Sequence, residues 1–144
     1  MARPDEPPPV ESPAVRVIAM PADTNPYGDI FGGWLMSLMD SAAGSVAARH
    51  SHGRAVTIAV NGMEFLRPVV VGDEVSVYAR LLSVGSTSMK IAVEAWRRTR
   101  HDDRSYRVTQ ATFTFVAIGE DRQPRTVPPL PVPAADPVLD DKRD

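Results

Sequence analysis

Apolar and polar positions alternate with a period of two through most of residues 54–119. "DEVSVYARLLSV" (73–84) sets Val75, Val77, Ala79 and Leu81 against Glu74, Ser76, Tyr78 and Arg80. "STSMKIAVEAWRR" (86–98) sets Met89, Ile91 and Val93 against Lys90 and Glu94. Alternation of this kind predicts strands with one buried face. "RAVTIAVNGMEFLRP" (54–68) predicts another, bent near Asn61–Gly62. "SYRVTQATFTFVAIG" (105–119) predicts the last, with two faces that polarity does not separate. Gly85 and "RHDDR" (100–104) read as turns, and the short β-branched "AVRVIAM" (14–20), ended by Pro21, predicts a first strand.

Between the first strand and the rest the period changes. "PADTNPYGDIFGG" (21–33) breaks both regular periods and reads as a loop. From Trp34 to His50 the composition favours helix, and Trp34, Leu35, Met36, Leu38, Met39, Ala42, Ala43, Val46 and Ala47 cover nearly its whole circumference. A helix apolar all round predicts burial on nearly all sides, and Gly53 predicts its C-terminal cap. The order β, α, then four β predicts an α+β fold, with a strongly curved antiparallel sheet wrapping one side of the helix. The open side and the sheet edge then favour pairing of two copies.

Composition narrows the chemistry. The 144 residues allow one domain of ordinary size, and the absence of cysteine excludes disulfides and thiolate metal sites. A net charge of −2 lacks the basic excess of a duplex-binding surface, so no nucleic-acid partner is expected. No apolar run is long enough for a membrane span. The acidic, proline-rich start does not read as a secretory leader, so a cytoplasmic location is expected. Of the 14 prolines, 11 fall in residues 1–13 and 120–144, which predicts disordered tails flanking a folded domain at 14–119.

The most specific pattern lies around the loop and helix. Asn25, Gly28, Phe31, Gly32, Gly33 and Asp40 form N-x-x-G-x-x-F-G-G-x-x-x-x-x-x-D within "MPADTNPYGDIFGGWLMSLMD" (20–40). With "VTIAVNGMEFLRPVVVGDEVSVYA" (56–79) and "GSTSMKIAVEAW" (85–96), the chain resembles the acyl-CoA hydrolase family of hotdog-fold thioesterases over about residues 14–118. That resemblance implies five antiparallel strands wrapping a central helix. It implies homodimers as the minimal active unit, with a homohexamer (a trimer of dimers) as the larger assembly. It also implies cleavage of acyl-CoA into free CoA and a carboxylic acid without metal or organic cofactor. An asparagine at the position of Asn25 is implied to work with the aspartate across the dimer.

The residues accommodate this chemistry. Asp40 shares a helical stripe with Met36, Ala43 and Ala47, so a buried carboxylate is expected, as general base or nucleophile. The competing structural reading is an aspartate bonded to a strand backbone or hydroxyl. Gly32 and Gly33 stand where the first helical amides lack partners, and so read as an oxyanion hole or merely as a tight chain entry. Asn25 can orient water or the thioester, or close an Asx turn before Pro26. From Gly33 to Asp40 is about 10 Å of helix at about 1.5 Å per residue, so one helix cannot offer both groups to one carbonyl. Two chains must share each site if both act.

For the CoA portion, Arg67, Lys90, Arg97 and Arg98 are candidate phosphate partners, and Gly85, Ser86, Thr87 and Ser88 offer amides and hydroxyls to a pantetheine arm. Surface arginines on strands are ordinarily just solvated. The His50–His52 pair has no acidic cluster beside it and reads as a cationic helix end rather than a metal site. Two alternatives share the fold: a catalytically silent acyl-CoA-binding protein, and a hotdog dehydratase. The second is weakened because no histidine falls in the loop before Asp40.

Overall fold

The chain, seen in a computed structural model that describes residues 7–131, builds one sheet around one helix. Strand β1 (Val15–Ile18) is followed by a short 3-10 turn (Pro21–Asp23) and helix α1 (Gly32–Ser51). Strands β2 (Ala55–Phe65), β3 (Glu74–Val84), β4 (Ser88–Arg98) and β5 (Ser105–Ala117) come after. The sheet order is β1-β3-β4-β5-β2 and every pairing is antiparallel. Tight connections make β3-β4 and β4-β5 hairpins. The helix carries the chain across, so β2 joins the far side of β5 and is left as an edge. The α+β arrangement expected from the sequence is present.

The helix meets the sheet through small side chains. Leu35, Met39, Ala42, Ala43 and Ala47 are buried against Val75, Val77, Met89, Ile91, Val93, Phe113 and Phe115. A Cβ on Gly44 would stand 3.6 Å from the Phe115 ring, so the helix sits close and the aromatic rings fill the space the alanines leave. Burial of each large side chain here stabilises by about 1.5–3 kcal/mol relative to exposure. The face of β5 that polarity left unassigned is settled by packing: Ala111, Phe113, Phe115 and Ala117 point inward. The bend expected in β2 is also present, as a register shift between Asn61 and Glu64 with Gly62 at φ 71°.

Several expectations are corrected. The helix is not covered all round: one sheet reaches one flank, and Met36 stays 40% exposed on the other. On β3, Ser76 and Tyr78 are buried although they alternate with the helix-facing set, and Arg16 of β1 donates its Nε–H to Ser76 Oγ at 2.8 Å on that face. The left-handed cap residue is His52 (φ 58°), not Gly53. Gly53 instead lies against the Arg125 guanidinium, which a Cβ there would meet at 2.6 Å and displace.

The folded body also runs past the boundary expected at residue 119. Arg125 donates from its backbone to Ala117 O (2.9 Å), and its side chain reaches Ile118 O, Ser51 O, Ser51 Oγ and Arg54 O. Val127 is buried and its N–H donates to Ser86 O at 3.0 Å, while His50 Nε2 donates to Pro128 O at 2.8 Å. Sequence reasoning missed this because the segment has no period; it is held by single polar contacts to the end of α1, the end of β5 and the β3-β4 turn. The tails expected at 1–13 and 120–144 otherwise fall, for residues 1–6 and 132–144, outside the described residues.

Candidate active site

The loop before α1 is organised by Asn25. Its side-chain Oδ1 accepts from the N–H groups of Tyr27 (2.9 Å) and Asp29 (3.1 Å), and its backbone N–H donates to Asp29 O (2.8 Å). Gly28 donates to Asn25 O and adopts φ 86°, a conformation that glycine takes without strain. An antiparallel bridge between Thr24 and Ile30 closes the loop. The Asx turn is therefore formed. With Oδ1 committed to the backbone, the Nδ2 amide is the group Asn25 has left to offer, and it can only donate.

The chain enters α1 through Phe31, whose side chain makes no capping bond, and the first turn carries no acidic residue. The Trp34 N–H turns back to Phe31 O at 3.1 Å. Gly32 and Gly33 thus present the first helical amides uncapped by any side chain, at the positive end of the helix dipole. Phe65 lies beside Gly32, where a Cβ would come within 2.9 Å of its ring, and the Phe31 ring lies beside Gly33. The Phe65 ring, with Ile30, Leu35, Arg67 and Val69, lines a cavity of about 460 Å³ that opens on Gly32.

Asp40 lies on the flank of α1 that the sheet leaves open, and in the protomer it is exposed rather than buried. Thr57 of β2 donates its hydroxyl hydrogen to Asp40 Oδ1. The bond to a strand hydroxyl is the one named by the competing structural reading. An exposed carboxylate, however, needs no such partner to survive burial. Thr57 was not identified from the sequence, because a threonine within "VTIAV" looks like any strand residue. Asp40 stands level with Thr57 and its partner Phe115, whereas Gly32 stands beside Phe65, at the other end of β2.

The candidate CoA partners separate into groups. Arg67 and Arg97 come together with Arg104 around the Tyr106 ring, at 5.4, 5.5 and 5.4 Å from its centroid, and Arg67 also borders the Gly32 cavity. Arg97 faces Asp73 at 3.9 Å. Arg98 is taken up by Glu74 (3.2 Å) and by carbonyls of the β4-β5 turn. Lys90 is about 23 Å from Arg97 at about 3.3 Å per residue, and Gly85, Ser86, Thr87 and Ser88, about 30 Å from it, lie at the opposite end of the β3-β4 hairpin. There the Ser86 and Thr87 carbonyls already accept from Val127 and Ala117. One chain does not bring these candidates to one place.

Comparison with known proteins gives consistent matches. Residues 27–103 match the model of the Thioesterase superfamily. An uncharacterized acyl-CoA thioester hydrolase of Zymomonas mobilis is 58% identical over 122 residues, covering 85% of this chain and 82% of that protein. The acyl-CoA thioester hydrolase YciA of Escherichia coli is 48% identical over 117 residues, covering 79% of this chain and 89% of that protein. The crystal structure of a hexameric thioesterase from Yersinia pestis superposes with a TM-score of 0.78 at 47% identity. It covers 83% of this chain and 98% of that one.

Proposed function

This chain belongs to the Thioesterase superfamily, and we infer from that membership and from the site that it is an acyl-CoA thioester hydrolase. Water adds to the thioester carbon, the carbon–sulfur bond breaks, and free CoA and a carboxylic acid leave. The observation that carries the roles is the placement of Asp40, exposed on the open flank of α1 with one oxygen held by Thr57. Its Oδ2 is turned to a reactant, either taking a proton from the attacking water or attacking the carbonyl itself. The uncapped amides of Gly32 and Gly33 receive the developing oxyanion, and the Nδ2 of Asn25 donates to the thioester oxygen or to the water.

These groups come from two chains. Gly32 and Asp40 lie at different levels of one helix, so neither can serve the other's carbonyl. Antiparallel pairing of two β2 edges about their midpoint sets the Thr57 end of one strand level with the Phe65 end of the other. Asp40 of one copy then stands beside Gly32 of its partner. Val56, Ile58 and Val60 on that edge and Met36 on α1 are left open in the protomer, an apolar surface that such pairing covers. The minimal active unit is accordingly a homodimer, and the hexameric relative is compatible with three such dimers. Arg67 and Arg97 draw CoA phosphates to the cavity beside Gly32. The Gly85–Ser88 turn and Lys90 can reach the same substrate only from the partner copy. No cofactor is required by this chemistry, and a cytoplasmic location fits a CoA-linked substrate. Among the described residues no helix is long and apolar enough to cross a membrane.

Release of free thiol from a panel of acyl-CoAs, read with a thiol dye, tests the activity. Silence across short, medium and long chains would leave the binding-protein alternative, and hydration of an enoyl-CoA would give the dehydratase. Single-turnover hydrolysis in oxygen-18 water separates the two roles of Asp40, since only an anhydride intermediate leaves label in its carboxylate.

A further inference from the structure

Met36 bisects the stretch of α1 between Gly32 and Asp40. It stands about 6 Å along the axis from either, at about 1.5 Å per residue, and within about 40° of both around the helix. Its side chain is 40% exposed, and no other large apolar side chain of α1 is as open. Ser37, beside it, donates its hydroxyl hydrogen to Trp34 O at 2.7 Å and so turns back to its own helix. On β2, a register shift between Thr57 and Ala59 takes residue 58 out of the alternation. Thr57, paired with Phe115, and Val60, paired with Phe113, therefore face the same side. That is the side on which Thr57 meets Asp40, and Val60 is 36% exposed there.

We propose that Met36 determines which acyl groups are hydrolysed, its side chain and that of Val60 forming the wall along which the acyl chain lies. The inference rests on the thioesterase reading and on the site shared between two chains. A thioester held by the Gly32 amide of one copy and reached by Asp40 of its partner lies within about one helical turn of Met36 in both copies, because Met36 is equidistant from the two groups. The two-fold axis that exchanges Gly32 and Asp40 also brings the two Met36 side chains together, at the middle of β2 where Val60 stands. An acyl chain leaving either carbonyl along this seam runs onto the Met36 pair. The wall is a thioether and a branched aliphatic side chain, with no strong donor or acceptor, so it suits a plain hydrocarbon chain. Methionine is unbranched and adaptable, which lets one wall accept several chain lengths up to the limit that the pair imposes.

The test compares the natural chain with Met36→Ala, Met36→Phe and Val60→Phe chains, assayed for thiol release from butyryl-, octanoyl- and dodecanoyl-CoA. The kcat/KM ratio of dodecanoyl- to butyryl-CoA is expected to fall about ten-fold or more in the phenylalanine chains and to rise by as much in the alanine chain, the scale of a methylene gained or lost in an apolar pocket. Each ratio is taken within one chain on substrates that share the CoA portion, so a smaller folded fraction cancels. Unchanged ratios would overturn the assignment while leaving thioester hydrolysis standing. A natural chain that hydrolyses none of the three would overturn hydrolysis, and this assignment with it. A second measurement needs no activity. The chain contains no cysteine, so Met36→Cys gives each copy a single thiol, and a short bis-maleimide is expected to join two copies. Thiols that label singly but never cross-link would place the two Met36 side chains apart and overturn the shared wall.

Discussion

Thr57 of β2 holds one carboxylate oxygen of Asp40 by donating its hydroxyl hydrogen, across a helix-to-strand contact that spans 17 residues of sequence. The bond holds one oxygen and limits rotation of the carboxylate, so in the proposed mechanism Thr57 is a positioning residue. Thr57→Val keeps the shape and removes the donor. Turnover on a good acyl-CoA is expected to fall by about ten-fold to a hundred-fold, the range for a hydrogen bond to a charged group, with KM little changed. Thr57→Ser should recover most of it. Equal turnover in the valine and serine variants would show that the hydroxyl does not act through Asp40.

Asn25 offers a sharper distinction, because Oδ1 holds its own loop while Nδ2 has the proposed catalytic task. Asn25→Asp retains an oxygen to accept from Tyr27 and Asp29 but removes the outward Nδ2 donor. Turnover is expected to fall about a hundred-fold to a thousand-fold, as when one oxyanion donor is lost, while the melting temperature stays near that of the unaltered chain. Asn25→Ala should lose turnover and also melt earlier, since the turn then loses its cap. An active Asn25→Asp enzyme would confine Asn25 to shaping the loop.

The proposed sharing of each site between two chains has its own consequence. Asp40→Asn alone should lower turnover by about two to four orders of magnitude, and because Asp40 is exposed in the protomer the fold should tolerate it. When Asp40→Asn and Asn25→Ala chains are unfolded and refolded together, each heterodimer has one site with both lesions and one with none. Random pairing puts about half the dimers in that class, so about a quarter of normal activity should return. A mixture as inactive as its parents, with heterodimers verified by mass spectrometry, would place Asn25 and Asp40 in one chain's site.

The Arg125 side chain makes four hydrogen bonds, two to Ser51 at the end of α1, one to Arg54 O just beyond it and one to Ile118 O in its own segment. Arg125→Ala removes all four and exposes Val127. A loss of about 1.5–3 kcal/mol is expected, the scale of one or two charge-assisted bonds, because the freed carbonyls can take up water. Denaturant unfolding measures it, and a midpoint unchanged from the natural chain would show that the segment docks without contributing stability.

Much of the architecture was legible because it depends on neighbours in the chain. Strands β3 and β4 follow from a two-residue period that puts Val75, Val77, Met89, Ile91 and Val93 on one face whatever they pack against. Asn25, Gly32, Gly33 and Asp40 were singled out as candidate machinery because their pattern resembles that of the acyl-CoA hydrolase family; taken singly, each also had a purely structural reading. The CoA candidates fared differently. Arg67 and Arg97 meet at Tyr106, but Lys90 and the Gly85–Ser88 turn lie at the far end of the hairpin. Register between distant strands, and not residue type, determines that.

The sequence by itself determined the elements, their order, the family resemblance and the candidate site residues, since periodicity and motif spacing are local properties that survive any tertiary arrangement. Only the folded chain decided that Asp40 faces outward and meets Thr57, that Asn25 has spent its oxygen on its own loop, and that residues 120–128 belong to the body of the domain. Each of those depends on one polar atom meeting another far away in sequence or turned a particular way. A single sheet can cover only one flank of a helix, so the pattern that made α1 look buried all round left open the side on which Asp40 stands.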